Sequence, residues 1–242
     1  MPDQPQVPGA AVLQLVAIMD RLRTECPWDA RQTHESLVPY LLEETYETLE
    51  AIERGDIAEL RGELGDVLLQ VLFHSRIAAE RTDGTGFTID DVATDIADKL
   101  VRRHPHVFAD VSVSGADEVK RNWETIKAEE RAAAGGGPAS ALDGVPMSQP
   151  ALSLAAQLQR RASAAGAPPE LADLSEADTQ VTEPTGPAAG QGTVGQASPI
   201  GAELFALVTK ARAAGVDPEL ELRRAAQAFR DRYRDWESSA GG

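Results

Sequence analysis

The stretch from Leu41 to Gln70, LLEETYETLEAIERGDIAELRGELGDVLLQ, constrains this chain more than any other. It holds two acidic motifs, Glu43-Glu44-x-x-Glu47 and Glu63-x-x-Asp66, with fifteen residues between Glu47 and Glu63. Side chains three and four apart on a helix share a face, so Glu44 and Glu43 project with Glu47, and Glu63 projects with Asp66. Arg54-Gly55-Asp56 lies between the motifs and can reverse the chain. The pattern predicts an αα-hairpin with four or five carboxylates facing one another. Like charges that close raise one another's pKa and oppose folding, and a divalent cation relieves the conflict. Only oxygen donors are on offer, which selects hard Mg²⁺, with Mn²⁺ as the alternative. Mg²⁺ commonly shares itself with phosphates, so a phosphate-bearing substrate is expected.

A single Glu-x-x-Glu pair is ordinarily a solvated helix face. Here both pairs sit among apolar residues. Leu41, Leu42, Tyr46, Leu49 and Ile52 flank the first; Leu60, Leu64, Val67, Leu68, Val71 and Leu72 flank the second. Acids inside an apolar helix pair need a reason, and metal is the common one.

Composition narrows the partners. The 242 residues carry 39 acids against 23 bases, a formal net charge of −16. That balance argues against a nucleic-acid polymer, which needs clustered Lys and Arg. The lone cysteine, Cys26, excludes an internal disulfide and a Cys-rich metal site. Residues 1–10 lack a basic leader region and no apolar run reaches membrane-spanning length, so a cytoplasmic protein without membrane contact is expected.

Along the chain, residues 1–10 read as flexible. Val12, Leu15, Val16, Met19 and Leu22 recur at helical spacing. Cys26 to Ser36 reads as a connection, and Pro39 suits the first turn of the next helix. The second hairpin helix is expected from about Ile57 to Glu80. Gly62 and Gly65 inside it cost about 1 kcal/mol each against Ala, which makes sense where another backbone or a ligand comes close to Glu63 and Asp66. Thr88 caps a further helix that ends in Lys99, Arg102 and Arg103 before Pro105. Ser114 and Asp117 open another through Trp123 and Glu130. The predicted domains are 11–134, a linker at 135–149, and a second helical half at 150–240 with a disordered insert about 168–199. Asp217-Pro218 opens a last helix with Leu222, Ala225, Phe229, Tyr233 and Trp236 on one face. No strand-like alternation occurs, so the fold class is all-α.

These residues resemble the MazG family of nucleoside triphosphate pyrophosphohydrolases, within the all-α NTP pyrophosphatase superfamily. The resemblance spans about residues 10–132. It rests on Cys26-Pro27-Trp28-Asp29, Leu42-Glu43-Glu44-Thr45-Tyr46-Glu47 and Arg61-Gly62-Glu63-Leu64-Gly65-Asp66. It continues in Asp98-Lys99-Leu100, Arg102-Arg103-His104-Pro105-His106-Val107-Phe108 and Trp123-Glu124-x-Ile126-Lys127-x-Glu129-Glu130-Arg131. The second half looks like a degenerate copy of the domain: Gly201-Ala202-Glu203-Leu204-Phe205 takes the place of the Gly-Asp segment, with Ala202 where the metal-binding Asp would stand.

The resemblance implies a helical bundle of MazG type that hydrolyses nucleoside triphosphates to monophosphate and pyrophosphate, with a house-cleaning role and a homodimeric assembly. Size points the same way on assembly, since a small helical half with 5% aromatics gains by burying a face against a copy of itself. Glu44, Glu47, Glu63 and Asp66 are the expected metal ligands. Glu43 is either a further ligand or the base that takes a proton from water. Lys99, Arg102 and Arg103 are candidates to neutralise the leaving pyrophosphate, and Lys127 is a further one. Trp28 is a candidate to stack on the base or to anchor the core. Asp29 either accepts from the base or pairs with Gln32 as a helix cap. His104 and His106 read as poor metal ligands beside so many oxygens; His34 and His74 belong to no constellation, although His74 lies four residues after Gln70 on the acidic face. The rival reading is a non-catalytic helical module that binds nucleotide or a partner protein. A di-iron carboxylate bundle is disfavoured, because no histidine follows a Glu by three residues.

Overall fold

The computed structural model describes residues 9–133, 140–174 and 198–240. Among them the regular elements are α-helices and two short 3₁₀ turns, with no strand, as the periodicity predicts. The chain divides into two compact units, 1–127 and 128–242. The predicted flexible start falls largely, and the predicted insert mostly, outside the described residues. Of the insert's ends, Pro169–Ala172 is a 3₁₀ turn and a helix already begins at Pro199.

The first unit is built on α1 (Ala10–Glu25), α2 (His34–Arg54), α3 (Ile57–Ala78), α4 (Ile89–Arg103), the one-turn α5 (Pro105–Phe108) and the start of α6 (Ala116–Ala133). Met19 of α1, Leu37 of α2, and Leu72 and Phe73 of α3 form the buried core, with Leu15, Val16, Leu68, Leu69, Ile77 and Ile89 packed around them. Each comes from an apolar stripe at helical spacing, so α1 and α2 both lie against α3. Arg23 ties α1 to the end of α3 through Glu80 (2.8 Å), and Arg76 reaches back to Asp20 (2.7 Å).

The start of α2 differs from the expectation. Thr33, not the neighbourhood of Pro39, is the N-cap: the Ser36 amide donates to Thr33 Oγ1 (3.2 Å) and the Thr33 amide to Ser36 Oγ (2.9 Å). This reciprocal box starts the helix at His34 and leaves Pro39 inside it, in the second turn. The connection from α1 is correspondingly shorter and contains the 3₁₀ turn Asp29–Arg31.

In the second unit, α7 (Ala151–Ala164), α8 (Pro199–Ala213) and α9 (Pro218–Ala240) pack on one another around Ala156, Ala202 and Val208. Asp217 caps α9 as its sequence predicts, accepting from the Glu219 and Leu220 amides at 3.0 and 3.1 Å. The predicted stripe on α9 is not covered: Leu222, Phe229, Tyr233 and Trp236 are all exposed in the single chain.

Candidate functional site

The α2–α3 turn forms as its residues dictate. Gly55 takes the left-handed conformation (φ 68°) that closes α2, which a Cβ would disfavour. Asp56 then caps α3, its Oδ1 accepting from the Ala58 and Glu59 amides at 3.0 Å each. The helices run back along each other, and the two acidic motifs meet.

Oxygens of Glu44, Glu63 and Asp66 lie within 4.8 Å of one another. Glu44 and Glu63 are half-buried and Asp66 is exposed. Burial, and then the charges of Asp66, Glu47, Glu43 and Glu63, hold the Glu44 carboxyl above the usual range. Burial likewise raises Glu63, followed by the charges of Glu47 and Asp66 and a side-chain hydrogen bond with Glu47. The other four predicted carboxylates therefore all act on Glu44, and oxygens of Glu44, Glu63 and Asp66 lie closest together. Three oxygen donors in mutual repulsion suit a hard dication, which removes the strain and has no need of soft ligands.

The setting differs from the buried one expected. Leu42 and Leu64 are each 52% exposed, and Tyr46, Ile52 and Val71 are exposed too. The acids stand at the rim of the α2–α3 seam, and much of the apolar surface beside them is uncovered in the single chain. Of the two reasons expected for the glycines, a close backbone is absent among the described residues: a Cβ built at Gly62 or Gly65 meets nothing within 4 Å. No other part of the described chain approaches them, and they leave an open notch on α3 next to Glu63 and Asp66.

Trp28 projects from the α1–α2 connection, 50% exposed. Its ring stands edge-on to Tyr40 (5.9 Å) and Phe73 (6.4 Å), so one side anchors on the core while the other stays open. The Asp29 side chain makes no cap hydrogen bond, although the Gln32 amide donates to the Asp29 carbonyl (3.2 Å). Gln32 Nε2 donates instead to the Trp28 carbonyl (3.0 Å), while the Asp29 carbonyl is held by Arg23.

Lys99, Arg102 and Arg103 occupy the last turns of α4. The Arg103 guanidinium lies 5.4 Å and the Lys127 ammonium 4.7 Å from the centroid of the Trp123 ring. Trp123 thus gathers two of the predicted cations by cation–π attraction. In sequence Trp123 belongs to the motif that carries the family resemblance, without a role of its own at the site. Its spacing from Lys127, one helical turn, was the available signal.

The histidines of α2 and α3 meet, which their positions in sequence do not predict. His34 Nδ1 lies 2.8 Å from His74 Nδ1, with the rings parallel to within 1°. At that distance the two Nδ1 atoms form a hydrogen bond when one ring donates and the other accepts. Burial, and then His34, lowers the His74 pKa, and its Nε2 is buried without a partner. Gln70, 5% exposed, sits between Asp66 and His74 at four-residue steps along α3, and its Oε1 is also unpartnered. A polar seam therefore continues from the carboxylates into the hairpin. His104 is structural: its Nδ1 contacts the Leu100 carbonyl (2.7 Å) where α4 ends.

Residues 32–108 match the MazG nucleotide pyrophosphohydrolase domain. An uncharacterised 26.1 kDa protein from Streptomyces cacaoi is 46% identical over 97% of this chain and 86% of its own length. A nucleoside triphosphate pyrophosphohydrolase from Escherichia coli (strain K12) is 43% identical over 93% of this chain and 86% of its own. A nucleoside triphosphate pyrophosphohydrolase/pyrophosphatase MazG from Thermotoga maritima is 40% identical over 95% and 86%.

Proposed function

The chain belongs to the MazG family of nucleotide pyrophosphohydrolases, and we propose that it hydrolyses nucleoside triphosphates to monophosphate and pyrophosphate at the α2–α3 carboxylates with Mg²⁺ as cofactor. The observation that carries this reading is the convergence of Glu44, Glu63 and Asp66 oxygens within 4.8 Å, on motifs that fall inside the matched domain. These three, with Glu47 beside Glu63, are the proposed metal ligands. Held there, Mg²⁺, or Mn²⁺ in its place, would supply positive charge for the phosphates and make a bound water more acidic.

The chain's own groups do the rest. Water attacks the α-phosphorus, its new O–P bond forming as the bond from that phosphorus to the α,β-bridging oxygen breaks. Glu43 is exposed and next to Glu44, and we assign it either the water's proton or a further place on the metal. Arg103 and Lys127, gathered on Trp123, and Lys99, one turn before Arg103, offset the charge that builds on departing pyrophosphate; Arg102 contributes at the periphery. The open side of Trp28 stacks on the nucleobase, and Asp29 accepts from it.

We further infer a homodimer. The exposed Leu42, Tyr46, Leu64 and Val71 flank the carboxylates on both hairpin helices, and a second copy would cover them. A house-cleaning role and a cytoplasmic location fit such a substrate. No described helix is long and apolar enough to cross a membrane. Incubation with each NTP and Mg²⁺ tests the reading. Release of equimolar NMP and pyrophosphate supports it, and silence across all NTPs supports a nucleotide- or partner-binding module.

A further inference from the structure

The sequence resemblance between the two halves gives the second unit a register on the first. With Ala202 in the place of Asp66, Leu72 corresponds to Val208, and these are among the best-buried residues of their units, at 2% and 1% exposure. The same register matches Phe73 to Thr209 and Arg76 to Arg212. Two of these matches change the chemistry.

In the first unit, Arg76 of α3 is neutralised by Asp20 of α1 at 2.7 Å. In the second, Arg212 of α8 meets Gln159 of α7, whose Oε1 accepts from Arg212 Nη1 at 3.2 Å. Gln159 is 5% exposed and is itself held by the Phe205 carbonyl (3.0 Å), so a neutral amide is fixed where the first unit has a carboxylate. Among the described residues no acid pairs with Arg212. Its pKa is lowered by burial and then by the neighbouring Arg160, the mark of a cation short of counter-charge.

Space is lost and gained at the same place. Phe73 of the first unit is 3% exposed and packs against Trp28. Its counterpart Thr209 fills far less room and borders a cavity of about 380 Å³. Leu158, Ala162, Pro168, Leu171 and Phe205 form its apolar wall, and the Arg212 side chain reaches its edge. That volume and that lining, apolar with one convergent charge, are those of a small-molecule site.

We propose that this cavity between α7, α8 and the Pro169–Ala172 turn binds a small carboxylate with an apolar body, its head on Arg212 and its chain against Leu158 and Phe205. A guanidinium presents two parallel N–H donors that match a carboxylate, and the bond strengthens where water is excluded. The Arg212→Gln variant separates binding here from binding at the cations of α4 and α6. The inference stands apart from the proposed catalysis, since none of its residues belongs to the carboxylate site.

Octanoate titrated into the full chain by calorimetry is the test, with 1-octanol as the uncharged control. Octanoate should saturate one site per chain below about 10 mM. 1-Octanol should bind at least about tenfold more weakly, because it forgoes the charged hydrogen bonds. Arg212→Gln should weaken octanoate by a similar factor and leave 1-octanol unchanged. Thr209→Phe, which restores the bulk of the first unit, should abolish both. The alcohol comparison needs no variant to fold. Absence of saturation, equal affinity for acid and alcohol, or unchanged octanoate binding by a folded Arg212→Gln chain overturns the proposal.

Discussion

Glu44 and Glu63 carry the conflict on which the site is built. Each is half-buried, and each is surrounded by carboxylates that push its pKa up. Replacing either by Gln removes charge without changing shape. Glu44→Gln and Glu63→Gln should each lower turnover by about a hundredfold or more, as loss of a group acting in the transition state does. The same variants should unfold at a higher temperature than the parent when divalent ions are chelated, because a repulsion has gone. Activity assays and thermal melts in EDTA check the two halves; variants that lose activity and stability together contradict it. Trp123 is a second residue-scale case. Trp123→Leu keeps an apolar side chain but removes the face that holds Arg103 and Lys127. It should reduce kcat/KM by about tenfold with the fold intact, read by steady-state kinetics beside circular dichroism.

The α2–α3 hairpin sets the pH behaviour, and its two polar regions act with opposite sign. Glu44 and Glu63 have raised folded pKa values, so their stabilising protonated forms are fully present below the unfolded carboxylate range and are lost as pH rises through the folded values. His74 has a lowered folded pKa, so its contribution is present above about pH 6.5 and is lost as pH falls. The metal-free protein should therefore lose stability through Glu44 and Glu63 as pH rises above the ordinary carboxylate range and through His74 as pH falls below about 6.5, and Mg²⁺ should raise the melting temperature most on the alkaline side. His74→Phe should remove the acid limb alone. Melting temperatures across pH 5–8, with and without Mg²⁺, separate the limbs. On α3, Gly65→Ala meets no neighbour and should stabilise the helix by about 1 kcal/mol. A stabilised variant with impaired kcat/KM would place the substrate or a second subunit in the notch. Equal stability and full activity would leave the glycine without a role.

The hairpin was legible in sequence because its signals are local: a 3.6-residue apolar stripe, Gly55 at a chain reversal, Asp56 at an N-cap. Thr33 and Ser36 were just as local, yet Pro39 drew the helix start toward itself, since proline favours a first turn without being confined to it. What stayed hidden depends on pairing at a distance. His34 and His74 are forty residues apart and meet only once the antiparallel register of α2 and α3 is fixed. Exposure was misread for a related reason: Leu42 and Leu64 belong to an apolar pattern, and a pattern does not say which molecule covers it.

At the scale of the whole molecule, the Glu44, Glu63 and Asp66 cluster is the one such carboxylate group among the described residues, and the second half, if it is the degenerate copy its sequence resembles, carries Ala202 in the place of Asp66. The uncovered apolar residues of the hairpin predict a particle of about twice the 25.8 kDa chain mass by light scattering. Leu42→Glu with Leu64→Glu should yield monomers, and a parent that is already monomeric contradicts the dimer. The central claim is that the acids of α2 and α3 gather to split a triphosphate between its α- and β-phosphorus. ³¹P NMR of a nucleoside triphosphate incubated with the protein and Mg²⁺ tests it most directly. The account predicts paired growth of monophosphate and pyrophosphate signals, abolished by EDTA and by Asp66→Asn. Orthophosphate with nucleoside diphosphate, or an unchanged rate in Asp66→Asn, would contradict it.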